Sequence, residues 1–520
     1  MNARAGAQIG FAALLLAASQ LFSRLLGLAR DMAIAGLIGR GAETGAYNAA
    51  FQIPDLMFHL LAGGALSIAF IPLYQRARTR GGEAAAEHFL ATVLGTITLL
   101  AAVATALLFI FAEPLVALQF PKFTPADQAL TTHLTRIVLP AQVAFIAGGV
   151  LRGALMAEGR FASQALTPLV YNAAIIAVGV LGHRRFGVEG FAWGALLGAW
   201  AGNLGTALWE ARGRIRIGFR LALDGDFRRY LVVALPLMLG VTLVTADEWY
   251  GRWFGGVLGT TAIATLVFAR RIMQVPVGLV GQAVATATLP SFSKLVESGS
   301  REELARVVLQ SLQASLAVSV LFAAGTAALA EPLVRLVYVR GAFSLGDAAL
   351  VTEALRIFCL GIPGWIVQTL AVRPFYARAD MWSPMWVGTG VALAAIPVYL
   401  WLGHVLGIAG LALAGGAAIS ANALATLWLA RVRHGAPALV PLAVTLVRSL
   451  AGAAPAAAAA LVAAHAVAPL APGGTPGALL ECAAGGIAFA AVGLPLAFWL
   501  GDAPTRDTLR RVARRLRRRR

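Results

Sequence analysis

The chain has 520 residues, of which 59% are hydrophobic and 13% charged, and its mean hydropathy is +0.77. These values lie outside the range of soluble globular proteins and predict a membrane protein with many spans. The formal net charge of +18 does not indicate nucleic-acid binding, because basic loops and tails of membrane proteins fix topology and contact anionic lipid. We therefore expect membrane lipids, and no nucleic acid, as partners.

Apolar windows of the length that a transmembrane helix requires recur along the whole chain, and we count fourteen. They lie near residues 9–38, 46–74, 89–111, 130–156, 166–181, 188–208, 230–250, 261–289, 305–329, 348–376, 385–402, 406–430, 441–467 and 478–500. The sequence predicts an all-α polytopic membrane protein with about fourteen transmembrane helices. The apolar pattern of the first window continues to residue 38, which favours a membrane span over a cleavable signal peptide.

Arginines concentrate in the loops after the second, sixth and twelfth predicted spans and in the C-terminal tail. Because positive residues accumulate on the cytoplasmic side, this distribution predicts that both termini are cytoplasmic. The two cysteines, Cys359 and Cys482, both lie in predicted spans. They argue against a disulfide framework and against a cysteine metal site.

Ionisable residues interrupt the first two predicted spans, at Arg24, Arg30, Asp31, Asp55 and His59. A charged side chain at the bilayer centre costs roughly 2.5–3.5 kcal/mol on insertion scales, so such residues normally face a cavity and carry function. Glycine and proline punctuate the same spans, as in broken helices that line a substrate path. This region therefore predicts part of a transport site.

Three internal matches at nearly one offset predict a repeat. Pro54 matches Pro276, Arg152 matches Arg373, and the segment 187–209 matches 407–428. Spans one to six and seven to twelve are therefore predicted to be two copies of one unit in the same orientation. The predicted organisation is an N-terminal lobe over 1–220, a C-terminal lobe over 221–435, two extra helices over 436–502 and a basic cytoplasmic tail over 503–520. We expect Arg152 and Arg373 to stabilise the cytoplasmic ends of their helices.

Several segments carry a family resemblance: FSRLLGLARD at 22–31, AFQIPDL at 50–56, ALSIAFIP at 65–72, RIMQVPVG at 271–278, LPS at 289–291 and FYARAD at 375–380. The chain resembles the MurJ (MviN) family of lipid II flippases, over most of its length. The resemblance implies a multidrug/oligosaccharidyl-lipid/polysaccharide exporter fold, in which two six-helix lobes form a V around a central cavity and the last two helices form a lipid-facing groove. It also implies transport of undecaprenyl-pyrophosphate-linked peptidoglycan precursor to the outer leaflet by alternating access, for cell wall synthesis.

The resemblance assigns the pyrophosphate contacts to Arg24, Arg30 and Arg271, which match the family's motifs, with Arg270 beside the last of them. Arginine suits this substrate because its planar fork donates two hydrogen bonds to a phosphate and keeps its charge when partly desolvated. The alternatives are a helix-end pair of Arg30 with Asp31 and a boundary anchor at Arg271. Further cavity residues are expected to be Asp31, Asp55 and His59.

The chain also departs from the family pattern. His59 stands nearest the position of a missing second-span arginine, and Arg270-Arg271 replaces an Asp-Arg pair. Adjacent acids in the seventh predicted span, Asp247 and Glu248, are a hypothetical site for a coupling cation or proton. Their alternative is a helix-terminal pair that is bound to Arg252 or solvated. No cofactor, metal or catalytic residue is expected, and a cation or the membrane potential would drive transport.

An integral membrane enzyme that handles lipid-linked sugars is the competing class. Such enzymes generally need a sizeable extramembrane segment with paired carboxylates, which this chain lacks. Among transporters, a flippase for another lipid-linked oligosaccharide and a cation-coupled drug antiporter of the same fold remain open. The arginines favour an anionic substrate over a cationic drug. We expect a non-enzymatic monomer in the bacterial plasma membrane, with lipid II as its partner.

Overall fold

The computed structural model describes residues 3–62, 69–239, 243–297, 301–376, 378, 380–434, 438–508 and 510. Nearly all of these residues are helical, and no β-strand occurs among them. The chain divides into two compact units, one comprising Met1–Gly240 with Gly259–Ala264 and the other Val241–Leu258 with Thr265–Arg520. Residues 221–240 thus belong to the first unit, whereas the sequence placed the start of the second lobe at 221.

The first unit consists of helices whose breaks coincide with glycine, proline or aromatic residues. They are α1 Ala3–Ile38, α2 Ala42–Ala50, α3 Gln52–Ala62, α4 Phe70–Ile110, α5 Ala112–Gln119, α6 Pro125–Val138, α7 Ala141–Ala157, α8 Ala162–Phe186, α9 Glu189–Gly198, a π-helix Ala199–Gly205, α10 Thr206–Ala211 and α11 Gly225–Leu239. Its core lies where α4 packs against α7, around fully buried Phe70, Leu90 and Leu94.

The second unit has a similar succession of helices and two additional helices at its end. They are α12 Leu243–Leu258, α13 Thr260–Glu297 (of which residues 260–264 belong to the first unit), α14 Arg301–Ala328, α15 Ala330–Tyr338, α16 Leu345–Cys359, α17 Ile362–Ala371, α18 Arg373–Tyr376, α19 Trp382–His434, α20 Leu439–Val467 and α21 Thr475–Leu500, with a 3₁₀ turn at Ala468–Leu470. Only 11% of the apolar window in α21 is buried, which leaves a broad apolar surface suited to lipid. The final arginines of the predicted tail, at 511–520, lie outside the described residues.

Eight helices of the described residues are long and apolar enough to cross a membrane, or nine if the bent pair Leu345–Cys359 and Ile362–Tyr376 forms one span. The predicted total of fourteen is not reached by this criterion. The predicted second span is interrupted at Phe51, between α2 and α3. The predicted seventh includes residues 240–242, which lie outside the described residues. The eleventh and twelfth correspond to the two parts of α19, between which the backbone of Gly407 is not helical, with φ 57° and ψ −131°. All-α architecture with many spans agrees with the sequence.

Backbone geometry supports the predicted repeat. Gly187 has φ 54° and ψ −131°, and Gly407, 220 residues later, has φ 57° and ψ −131°. The sequence Ala-Glu-Pro-Leu-Val, which opens both α5 and α15, is a further copy that the sequence analysis missed. Thr124 and Ser344 cap α6 and α16 in the same way, each accepting a hydrogen bond at 3.1 Å from the amide three residues on. Equivalent breaks and caps therefore recur in the two units.

Substituting alanine at Gly187 or Gly407 should lower the free energy of unfolding by about 1–3 kcal/mol, because only glycine adopts this left-handed conformation without strain. Gly390→Ala in α19 is the matched control, since a Cβ there meets open space. Thermal unfolding of the purified protein in detergent measures the three changes. Equal stability of Gly407→Ala and Gly390→Ala would contradict the prediction.

Arg152 stabilises helix packing around the π-helix. Its Nη1 donates a hydrogen bond to the carbonyl of Asn203 at 2.8 Å, and Thr167 Oγ1 donates to the carbonyl of Gly202 at 2.9 Å. A π-helix displaces carbonyls from the α-helical pattern, so side-chain donors compensate for the lost bonds. Gly148 permits the contact, because a Cβ at that position would lie 2.2 Å from the Asn203 carbonyl oxygen.

Asp224 caps the N-terminus of α11. Its Oδ1 accepts hydrogen bonds from the amides of Asp226 and Phe227, both at 3.1 Å, and its Oδ2 lies 3.5 Å from His88 Nε2. Burial alone would raise the pKa of Asp224, but the Phe227 amide, His88, the Asp226 amide and the charge of Arg220 together lower it below its ordinary value. The ionised carboxylate therefore stabilises the folded state.

Asp224→Ala should lower the free energy of unfolding by about 0.5–2 kcal/mol at neutral pH, the usual effect of losing an N-cap. Because the folded pKa is the lower one, this stabilisation is present above the unfolded pKa, about 4, and is lost as the pH falls through the folded pKa. Asp224→Asn keeps the cap but cannot titrate, so its stability difference from Asp224→Ala should not vary with pH. Unfolding measured at pH 7 and pH 3 checks both statements.

Candidate functional site

A buried ion pair on α1 forms the centre of the candidate site in the first unit. Arg30 Nη2 and Nε donate to Asp31 Oδ1 at 2.9 and 3.0 Å, and its Nη1 donates to Asn172 Oδ1 of α8 at 3.3 Å. The side chain of Arg30 is 16% exposed and that of Asp31 7%. The pairing given as the alternative for Arg30 is thus present, but it lies among buried groups.

Further polar residues of the first unit surround this pair. Tyr47 and Tyr171 lie close enough to interact electrostatically with Arg30, and Asp55 of α3 interacts with Tyr171. His59 follows Asp55 by four residues and is half-buried, on the same face of α3. The structure therefore places Asp31 against Arg30 and Asp55 near Tyr171, with His59 one turn beyond Asp55.

Arg24 occupies a different environment. It is exposed, and no hydrogen bond or ion pair links it to the part of the chain that the structure describes. Six residues separate it from Arg30, so the two side chains leave α1 on different faces. Arg24 is consequently a cation open to an external anion, whereas Arg30 already has a carboxylate.

A second buried ion pair lies in the other unit, between α12 and α13. Arg270 Nη1 donates to Asp247 Oδ2, and Nη2 donates to the backbone carbonyl of Asp247 at 3.2 Å. The Tyr399 hydroxyl of α19 donates to Asp247 Oδ1, and the ring of Phe358 lies 5.4 Å from Arg270 Cζ. Asp247 is therefore the counter-ion of Arg270, and both of its carboxylate oxygens accept hydrogen bonds.

Glu248 differs from its neighbour. Its side chain is 55% exposed and pairs with Arg252 Nη2 at 2.9 Å, one helical turn away. The predicted alternative, pairing with Arg252, is thus present for Glu248. Asp247 instead pairs with Arg270, a partner that the sequence did not indicate. Neither acid forms a ready-made cation site in this arrangement.

A small cavity of about 30 Å³ adjoins this pair. Its polar lining consists of Glu248, Arg252, Arg270, Arg271 and Gln274. The volume is enough for about a water-sized group and too small for a pyrophosphate. Arg270 and Arg271 therefore both line this cavity.

Sequence reasoning missed Tyr399, Phe358 and Asn172 as members of these two clusters. Each is an isolated residue in an apolar span, and its partner is distant in the sequence. The shortest of these separations, between Arg270 and Phe358, is 88 residues. Within the described residues, no three His, Cys, Asp or Glu side chains converge to hold a metal ion.

Comparison with known proteins identifies the family. The family model for lipid II flippase MurJ matches residues 34–476. The probable lipid II flippase MurJ of Rhizobium meliloti (strain 1021) is 31% identical over 431 residues, covering 78% of this chain and 77% of that protein. The lipid II flippase MurJ of Burkholderia cenocepacia is 26% identical, covering 78% and 80% of the two chains.

Solved structures agree in fold. A lipid II flippase MurJ in an inward closed conformation aligns with a TM-score of 0.78 at 22% identity, covering 94% of this chain and 99% of that one. An inward-facing multidrug resistance MATE family transporter of the MOP superfamily aligns with a TM-score of 0.68 at 17% identity, covering 82% and 98%. The apolar helices make the chain an integral membrane protein, and the match over residues 34–476 shows that it belongs to the MurJ lipid II flippase family.

Proposed function

We propose that the protein moves lipid II, the undecaprenyl-pyrophosphate-linked peptidoglycan precursor, from the cytoplasmic to the outer leaflet of the bacterial plasma membrane. The observation that carries the proposal is the family match over residues 34–476. In this view the protein is a transporter without a catalytic step, works as a monomer, and has both termini in the cytoplasm. The apolar tail of the substrate stays in the membrane while the lobes alternate in access.

The charge balance of the two clusters suggests how a pyrophosphate is taken up. Arg30 is paired with Asp31 in the first cluster, and Arg270 is paired with Asp247 and Arg252 with Glu248 in the second. Without substrate, carboxylates satisfy the buried guanidinium groups and avoid unpaired charge in an apolar setting. Substrate binding then exchanges a carboxylate for a phosphate that accepts a bidentate hydrogen bond.

This exchange offers a route for coupling. When Arg270 turns toward the pyrophosphate, Asp247 loses its counter-ion and becomes able to take up a proton or a cation. Release of substrate restores the ion pair and expels the cation, which links the return of the empty carrier to a cation gradient or to the membrane potential. No cofactor takes part, and Glu248 remains an exposed auxiliary acid.

Complementation tests the function. Cells depleted of their own lipid II flippase should regain lipid II exposure on the outer face when this chain is expressed. Arg184→Gln, at an exposed arginine outside both clusters, should restore it equally well. Failure of a wild-type protein that is present in the membrane at a matched level would overturn lipid II as substrate and favour another lipid-linked oligosaccharide.

A further inference from the structure

A second cavity lies in the first unit, away from both ion pairs. It measures about 360 Å³ and opens where Gly82, at φ 73°, interrupts α4. Its lining includes Arg76 and Arg80 before the break, His88 and Phe89 after it, and Asp226 and Arg229 of α11. Three helical segments therefore converge on it.

The cavity is strongly cationic. Arg76, Arg80 and Arg229 are exposed, and none of them forms an ion pair or hydrogen bond with the described part of the protein. Arg78 on the same helix is different, because it pairs with Glu83 at 3.4 Å. Three unpaired guanidinium groups against one carboxylate, Asp226, make the cavity suited to an anion.

The walls of the cavity are anchored in the core of the first unit. Phe89 is 2% exposed and packs against Phe70, with ring centroids 5.4 Å apart. The Tyr74 hydroxyl donates to Glu158 Oε1 at 2.9 Å, which fixes the first part of α4 against the end of α7. The arginines therefore extend from a preformed frame rather than from a free loop.

An exposed apolar surface begins beside the cavity. On α11, Val232 is 68% exposed, only three residues after Arg229. The segment before α11 turns Phe219, Leu221 and Leu223 outward, at 69%, 65% and 82% exposure. Its backbone is held against α4, since the Arg220 amide donates to the Ala91 carbonyl at 3.0 Å. A soluble anion would leave this apolar surface exposed, whereas the acyl chains of a lipid would cover it.

We propose that this cavity binds the phosphodiester headgroup of an anionic phospholipid, with the acyl chains along the apolar rim. The site is separate from the proposed lipid II contacts and does not depend on the transport function. Basic pockets next to apolar helices are suited to anionic headgroups, and each arginine near such a lipid contributes about 1 kcal/mol, roughly fivefold in affinity. Free phosphate shares the headgroup's charge and is the competing ligand.

Native mass spectrometry of the full-length protein in detergent, titrated with phosphatidylglycerol, tests the proposal. We expect Arg76→Gln, Arg80→Gln and Arg229→Gln combined to weaken phosphatidylglycerol binding by about tenfold or more, and to leave phosphatidylcholine binding unchanged. The combination Arg212→Gln, Arg214→Gln and Arg216→Gln is the matched control, because it removes the same charge from exposed residues outside the cavity. Its effect should be less than about twofold.

Two further arms separate the sources of the phosphate. Inorganic phosphate at millimolar concentration should not displace bound phosphatidylglycerol. Leu221→Ser combined with Leu223→Ser should weaken phosphatidylglycerol binding, although all three arginines are kept. Displacement by phosphate would assign the cavity to a soluble anion and overturn the proposal. Equal losses in the two arginine combinations would also overturn it, by showing that only overall charge matters.

Discussion

Asp247→Asn is expected to lower the free energy of unfolding by about 3–5 kcal/mol, because it leaves the Arg270 guanidinium buried without its counter-ion. The Asp247 side chain is 3% exposed and that of Arg270 is 11% exposed, so bulk water cannot solvate the unpaired guanidinium. Tyr399 would also lose a charged acceptor for its hydroxyl. Thermal and denaturant unfolding of the detergent-solubilised protein measures the change.

The neighbouring acid supplies the control for this prediction. Glu248→Gln removes the same charge one residue away, from a side chain that is 55% exposed, and should cost less than about 1 kcal/mol. Adding Arg270→Gln to Asp247→Asn removes both buried charges and should recover much of the lost stability, since the two residues are directly coupled. If Asp247→Asn and Glu248→Gln prove equally mild, the buried pair does not stabilise this unit.

Much of the fold could be predicted from composition and apolar periodicity, because a bilayer demands helices whose backbone groups are satisfied internally. The number of spans was less predictable. A short break such as that at Phe51 divides an apolar window without changing its hydropathy. Hydropathy records the length of an apolar segment but not its bends.

Contacts within the candidate site were easier to predict the closer the two partners lie in the sequence. Arg30 and Asp31 are adjacent, so their pairing could be foreseen from the sequence. Asp247, Arg270 and Tyr399 come from three separate helices, and nothing in a single sequence indicates that they meet. The adjacent acids at 247–248 have different partners, because a one-residue step turns a helical side chain by about 100°.

Arg30→Ala is expected to reduce lipid II exposure on the outer face by at least about thirtyfold, since losing a buried charged hydrogen-bond partner costs about 2 kcal/mol or more. Arg30→Lys should restore only part of the activity, because an ammonium keeps the charge but loses the planar fork. Arg24→Ala should lower the stability of the substrate-free protein less than Arg30→Ala does, since the Arg24 side chain is exposed. The assay is outer-face labelling of lipid II in flippase-depleted cells.

Loss of transport in Arg30→Ala has a second explanation, because the variant also leaves Asp31 buried without a cation. Arg30→Gln with Asp31→Asn removes both charges in similar shapes and therefore separates stability from binding. This double variant should reach the membrane at wild-type level and unfold at nearly the wild-type temperature, yet leave lipid II on the cytoplasmic face. Wild-type lipid II exposure by the double variant would show that Arg30 serves the packing of α1 against α8 and does not bind the pyrophosphate.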